Sequence, residues 1–70
     1  MTLAKYLKDT GRSQAEFGST LSPPVSQGQV SQWILGRTRI TLAYALQIES
    51  ETQGRVPPQD SAAMYIGPDK

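Results

Sequence analysis

Apolar side chains recur along this chain in short helical clusters divided by turn-forming residues. Leu3, Tyr6 and Leu7 fall at i, i+3 and i+4, with Thr2 before them as an N-cap and Gly11 after them as a left-handed stop. This spacing predicts a first helix over residues 3–10. Ser13-Gln14-Ala15-Glu16 has the form of a capping box, in which the Ser13 hydroxyl accepts from the Glu16 amide while the Glu16 carboxylate reaches back. Phe17 and Leu21 follow on one face, so a second helix is expected over residues 14–21. Ser22-Pro23-Pro24 ends it, because proline lacks an amide hydrogen and disfavours helix in the residue before it. Ser26 caps a third helix, residues 26–35, with Val30, Trp33 and Ile34 at helical spacing and Gly36 as its stop.

Residues 40–48 carry two patterns at once. Ile40, Leu42, Tyr44, Leu46 and Ile48 alternate as in a half-buried strand, while Thr41 offers an N-cap and Leu42, Ala45, Leu46 and Glu49 fit a helical face. The alanines, leucines, glutamine and glutamate favour helix, here expected over 42–53 with Gly54 at the C′ position. Pro58 suits the first turn of a short last helix, and residues 67–70 are expected to be a frayed tail. The fold class expected is therefore all-α, four to five short helices. An α+β arrangement ending in a β-hairpin is the alternative that the alternation permits.

Composition narrows the function. With 70 residues there is one thin core, and with neither cysteine nor histidine there is no disulfide, no thiolate metal site and no usual general base at neutral pH. Six carboxylates leave little from which to build an active site, so no enzyme, cofactor, metal or small-molecule substrate is expected. No apolar run approaches the ~20 residues that span a bilayer, and the first residues do not form a signal peptide. The expected setting is a soluble, cytoplasmic protein with no membrane partner. Net charge is only +1. Its distribution is uneven: residues 1–40 carry Lys5, Lys8, Arg12, Arg37 and Arg39 against Asp9 and Glu16, a net of +3. Residues 41–70 carry Arg55 and Lys70 against Glu49, Glu51, Asp60 and Asp69, a net of −2. One basic face approaching a polyanion accounts for this split, as does an uneven scatter of surface charge.

Two short helices joined by a turn, the second polar at its start and apolar behind, are the parts of a helix-turn-helix. The order Gln14-Ala15-Glu16-Phe17-Gly18, Leu21, Val25-Ser26-Gln27-Gly28-Gln29-Val30-Ser31-Gln32-Trp33, Gly36-Arg37 resembles the helix-turn-helix of phage Cro and repressor proteins and their bacterial relatives. Phe17, Leu21, Val25, Val30 and Trp33 match the apolar positions of that family, and Gly18 matches the small residue where its two helices cross. Ala45-Leu46-Gln47-Ile48-Glu49 and Thr52-Gln53-Gly54-Arg55-Val56 look like the helical C-terminal half of the all-helical Cro-like transcription regulators. The resemblance covers residues 2–60, and it implies a DNA-binding domain over 1–60, followed by a short helix or flexible tail over 61–70. It departs at Ser22-Pro23-Pro24-Val25, two residues longer than the family's turn.

An α-helix fits the major groove, and side chains of its first two turns reach base edges. Gln27, Gln29 and Gln32 both donate and accept, which suits bidentate pairing with adenine. Ser31 reaches a base edge or phosphate, and Gly28 allows close backbone approach. The resemblance puts Gln27 at the family position that most often reads a base, and Gln14 at one that contacts phosphate. Ser26 at the helix start and Arg37 and Arg39 after its end complete the candidate phosphate contacts. Trp33 is assigned to the core. Singly, Ser and Gln also mark a solvated helix face, and Arg37 and Arg39 a polar loop; their joint order favours DNA. The function expected is a sequence-specific repressor from a phage or prophage, acting in the cytoplasm of the bacterial host on a double-stranded operator. The resemblance implies a homodimer, and Tyr44, Ile48, Val56 and Met64 would either form its apolar surface or fill a monomer core. A protein-interaction module, such as an antitoxin or adaptor, is the alternative.

Overall fold

Four helices begin where a hydroxyl takes the free amide of the third helical residue. Thr2, Ser13, Ser26 and Thr41, all in extended backbone, accept from the amides of Lys5, Glu16, Gln29 and Tyr44. These caps open α1 (Leu3–Thr10), α2 (Gln14–Ser19), α3 (Gln27–Ile34) and α4 (Leu42–Glu51), and Pro57-Pro58 opens α5 (Pro58–Ala63). The computed structural model describes residues 1–66, and among them there are five helices and no strand. The expected tail at 67–70 lies outside the described residues.

The helix ends follow from local hydrogen bonds. α3 closes in a Schellman motif: Gly36, at φ 76°, donates to Trp33 O at 3.0 Å, and Arg37 donates to Gln32 O at 3.0 Å. α4 closes in the same way one residue earlier than expected. Gln53 takes the C′ position at φ 57°, and Gly54 becomes C″, donating to Glu49 O at 2.8 Å. Thr52 sets that stop. Its buried hydroxyl donates to Ile48 O at 2.8 Å and accepts from the Val56 amide at 3.1 Å, turning the chain toward α5. α2 ends at Ser19 rather than residue 21, because the Ser19 and Thr20 hydroxyls donate to Glu16 O and Phe17 O at 2.6 Å each. Only half of the expected capping box forms among the described residues: Ser13 accepts from Glu16, but no bond returns from the Glu16 carboxylate.

The hairpin alternative fails at α4. Ala45 and Ile48 face the core at i and i+3, whereas Leu42 and Leu46, expected on the apolar face by both patterns, are 69% and 50% exposed, so the helix forms but buries a different face from the one expected. Helix propensity and the Thr41 cap decide the stretch. Leu3, Tyr6, Leu7, Phe17, Leu21, Val30, Trp33, Ile40, Ala45, Ile48 and Val56 form one core, with Val25, Ile34, Tyr44 and Met64 packed against it. Ile48 and Val56 are fully buried, so the surface suggested for dimer contacts is instead monomer core, with Tyr44 and Met64 half-buried at its edge.

α2 and α3 cross at Gly18. A Cβ there would overlap the Val25 carbonyl oxygen and stand 3.2 Å from methyls of Val25 and Val30. The Val25 amide donates to Gly18 O at 3.0 Å, so the turn is sealed against α2 at the crossing. At the other end of α3, Gly36 O accepts from the Ile66 amide at 3.0 Å, and a Cβ on Gly36 would stand 2.5 Å from Met64 O. The chain after α5 is therefore seated on the stop of α3, and α5 itself crosses position 60 with Ser61 buried.

Candidate nucleic-acid interface

At ~100° per residue, α3 divides into two arcs. Val30 and Trp33 point inward, both buried, and Trp33 lies against the Tyr44 ring with centroids 5.4 Å apart. The outward arc runs in angular order through Gln27, Ser31, Leu35, Gly28, Gln32 and Gln29, so all five base-reading candidates share it. The two outer glutamines are each held from the side. Gln27 Nε2 donates to Gln14 Oε1 at 2.9 Å, and Gln29 Nε2 donates to Thr38 Oγ1 at 3.2 Å.

The Gln27–Gln14 bond ties the first residue of α3 to the first residue of α2. It leaves Gln27 with its carbonyl oxygen and one amide hydrogen, the set that adenine N6 and N7 require. Gln14 keeps both of its own amide hydrogens for an acceptor. Gln29 is half-buried, lining a groove with Val25, Trp33, Arg39 and Tyr44, so it stands at the edge of the arc and not at its centre. The centre holds an apolar residue that sequence reasoning passed over: Leu35, the C-cap of α3, is 52% exposed. Its place one turn beyond Ser31 was available from helical spacing, and a leucine there suits a thymine methyl.

The cations sort into two groups. Lys5 pairs with Asp9 at 3.7 Å on α1. Arg12 pairs with Glu51 at 3.7 Å, donates to the Tyr6 hydroxyl at 3.3 Å and lies 5.3 Å over the Phe17 ring. The Tyr6 hydrogen bond, outweighing partial burial and aided by Glu51 and Glu16, raises its pKa further above an already basic value. Arg12 therefore fastens α1, α2 and α4 together. Lys8, Arg37, Arg39 and Arg55 have no ion-pair partner among the described residues, Arg55 lying after α4 and away from α3 in sequence. Lys8 lines a groove with Arg12, Ser13, Gln14 and Ile34 beside the start of α2, a position the sequence reading did not single out. Arg37 is exposed after α3, and Arg39 stacks its guanidinium 4.8 Å over the Tyr65 ring while lining the Gln29 groove. Ser26 is exposed and spends its oxygen on the Gln29 amide, leaving the hydroxyl hydrogen free.

Among the described residues, no helix is long and apolar enough to cross a membrane. No protein-family model matches the chain, and neither the curated proteins nor the solved structures contain a match.

Proposed function

We propose that the protein is a sequence-specific double-stranded DNA-binding regulator, a Cro-like repressor that reads the major groove with α3. The observation that carries this reading is the construction of α3. It turns Gln27, Ser31, Gln32 and Gln29 outward around Leu35 and bonds Gln27 to Gln14 at the start of α2. Lys8 lies in the groove beside Gln14, Arg37 follows the end of α3, and Arg39 lies in the Gln29 groove. Neutral amides discriminate base edges, and the flanking cations meet phosphates. Two protomers, with recognition helices about 34 Å apart, would occupy successive major grooves and occlude a promoter.

A shift assay on random duplexes across a salt series tests the reading. Binding is expected at low salt, with log K falling against log salt at a slope of about −0.9 per phosphate contacted, so roughly −3 per protomer from three cations. Absence of binding at low salt sinks the proposal and favours the protein-interaction reading. The observation on that side is the pair of exposed leucines Leu42 and Leu46, one turn apart on α4.

Two substitutions separate reading from positioning. Gln27→Ala is expected to cost about 1–3 kcal/mol on a selected site and to relax preference at one base position. Arg37→Ala is expected to weaken binding to all sequences alike and to reduce the salt slope by about 1. Arg37 is the cleaner choice here, because Arg39→Ala also removes the Tyr65 contact. Selected-sequence profiles of the parent and both variants decide the assignment; variants that match the parent refute it.

A further inference from the structure

The chain between α2 and α3 is tied to α2 at its two ends and to α4 in its middle. Leu21 and Val25 donate to Gly18 O, at 3.3 and 3.0 Å, which fixes the two ends of the connection. Between them stand Pro23 and Pro24, which have no amide hydrogen, so Ser22 N is the one backbone donor in the middle. That donor goes to α4: Ser22 N bonds Gln47 Oε1 at 2.7 Å, and Gln47 Nε2 returns to Ser22 O at 2.8 Å. One turn earlier on α4, the Tyr44 hydroxyl donates to Pro23 O at 2.8 Å. The ring of the same tyrosine leans on Trp33 inside α3. Two side chains of α4 thus hold both the segment that enters α3 and the core face of α3 itself.

We infer that Tyr44 and Gln47 are positioning residues for the recognition helix: by clamping residues 22–23 to α4 they set the angle at which α3 meets the duplex. This inference rests on the DNA-binding reading of α3. The Val25 amide pins the end of the connection to Gly18 O, but residues 22–24 between the two Gly18 bonds have no backbone partner of their own. Tyr44 and Gln47 therefore supply the hold that fixes this stretch, and with it the approach to α3, against α4. Ser22 and Pro23 are exposed, so when the clamp is removed their polar groups pass to water. The fold then persists while the orientation of α3 broadens.

The test uses the full chain carrying Tyr44→Phe together with Gln47→Ala. Both changes are neutral in charge, and phenylalanine keeps the ring against Trp33. Sites selected from a random duplex pool by the parent are then bound by both proteins, alongside a non-specific duplex, across salt. The ratio of specific to non-specific affinity is expected to fall about tenfold, the worth of roughly one base contact, with non-specific affinity and salt slope unchanged. A parent-like ratio overturns the inference. So does a parallel loss of specific and non-specific binding with a collapsed melting transition, which would mark Tyr44 and Gln47 as supports of the fold alone.

Amide NMR supplies a readout that needs no DNA. Shift changes that extend from Ser22 through α3, with α1 unmoved, support the clamp, and changes confined to residues 22–25 and 44–47 refute it. A parent that binds no duplex fails the functional reading, and the NMR result still decides the clamp separately.

Discussion

Trp33→Ala is expected to remove about 3–5 kcal/mol of stability, enough to leave much of the population unfolded at physiological temperature. A domain of this length has roughly 3.5–10 kcal/mol in all, at ~0.05–0.15 kcal/mol per residue. Trp33 is 3% exposed and is the inward anchor of α3, meeting the Tyr44 ring on one side and sharing the core with Val30. Val30 and Ile48 are fully buried already, so the core can close only in part over the volume it would vacate. It is also the protein's single tryptophan, so the variant is followed by far-UV circular dichroism against temperature and denaturant, not by intrinsic indole emission. A loss below about 1 kcal/mol would mean that α3 is not seated through this residue.

Gly18→Ala is the second large effect, and its sign is opposite to what helix propensity alone suggests. Alanine in a helix interior is favoured over glycine by roughly 1 kcal/mol. Here the new methyl would overlap the Val25 carbonyl oxygen, which is backbone and itself fixed by the Val25 amide bonding Gly18 O. Relieving the overlap requires α2 and the turn to separate, which moves Val30 and the start of α3 with them. Overpacking of this kind costs about 1–3 kcal/mol, and contact with backbone places it at the upper end, a drop of roughly 10–20 °C in Tm for so small a domain. The same displacement should weaken specific duplex binding more than non-specific binding. Gly28→Ala is the internal control: only the Ser26 hydroxyl lies within 4 Å of a Cβ there, at 3.8 Å, so stability should rise or stay level. Equal effects at the two glycines would refute the crossing argument.

What was legible in advance divides along the range of the interactions. Thr2, Ser13, Ser26 and Thr41 reveal helix starts because a cap and the amide it serves are neighbours in sequence. Gly36 is equally readable as a stop. The end of α2 is not, because Ser19 and Thr20 have the choice of bonding their own carbonyls or solvent, and only the folded turn makes that choice. Residues 40–48 satisfied two periodicities; the Thr41 cap and helix propensity decide for helix, and the face it buries, Ala45 with Ile48 and not Leu42 with Leu46, was legible in neither pattern. At the candidate interface, the outward arc followed from helical spacing, but its fastening did not. The Gln14–Gln27 bond, the recruitment of Arg12 by Glu51 and the hold of Gln47 on Ser22 all join residues far apart in sequence. Amides and guanidinium groups bond many partners, so type and spacing alone do not say which one is chosen.

The separation of α3 into an inward pair and an outward arc has a consequence for how such a chain can change. Val30 and Trp33 hold the helix in place, while Gly28, Ser31, Gln32 and Leu35 take no part in the buried core. Those four positions can be rewritten without disturbing the packing beneath them, and Gly28 is a blank among them, where a Cβ would meet only the Ser26 hydroxyl at 3.8 Å. On the proposed DNA-binding reading of α3, new targets are reachable one outward residue at a time, each step judged by what it contacts and not by whether the protein still folds.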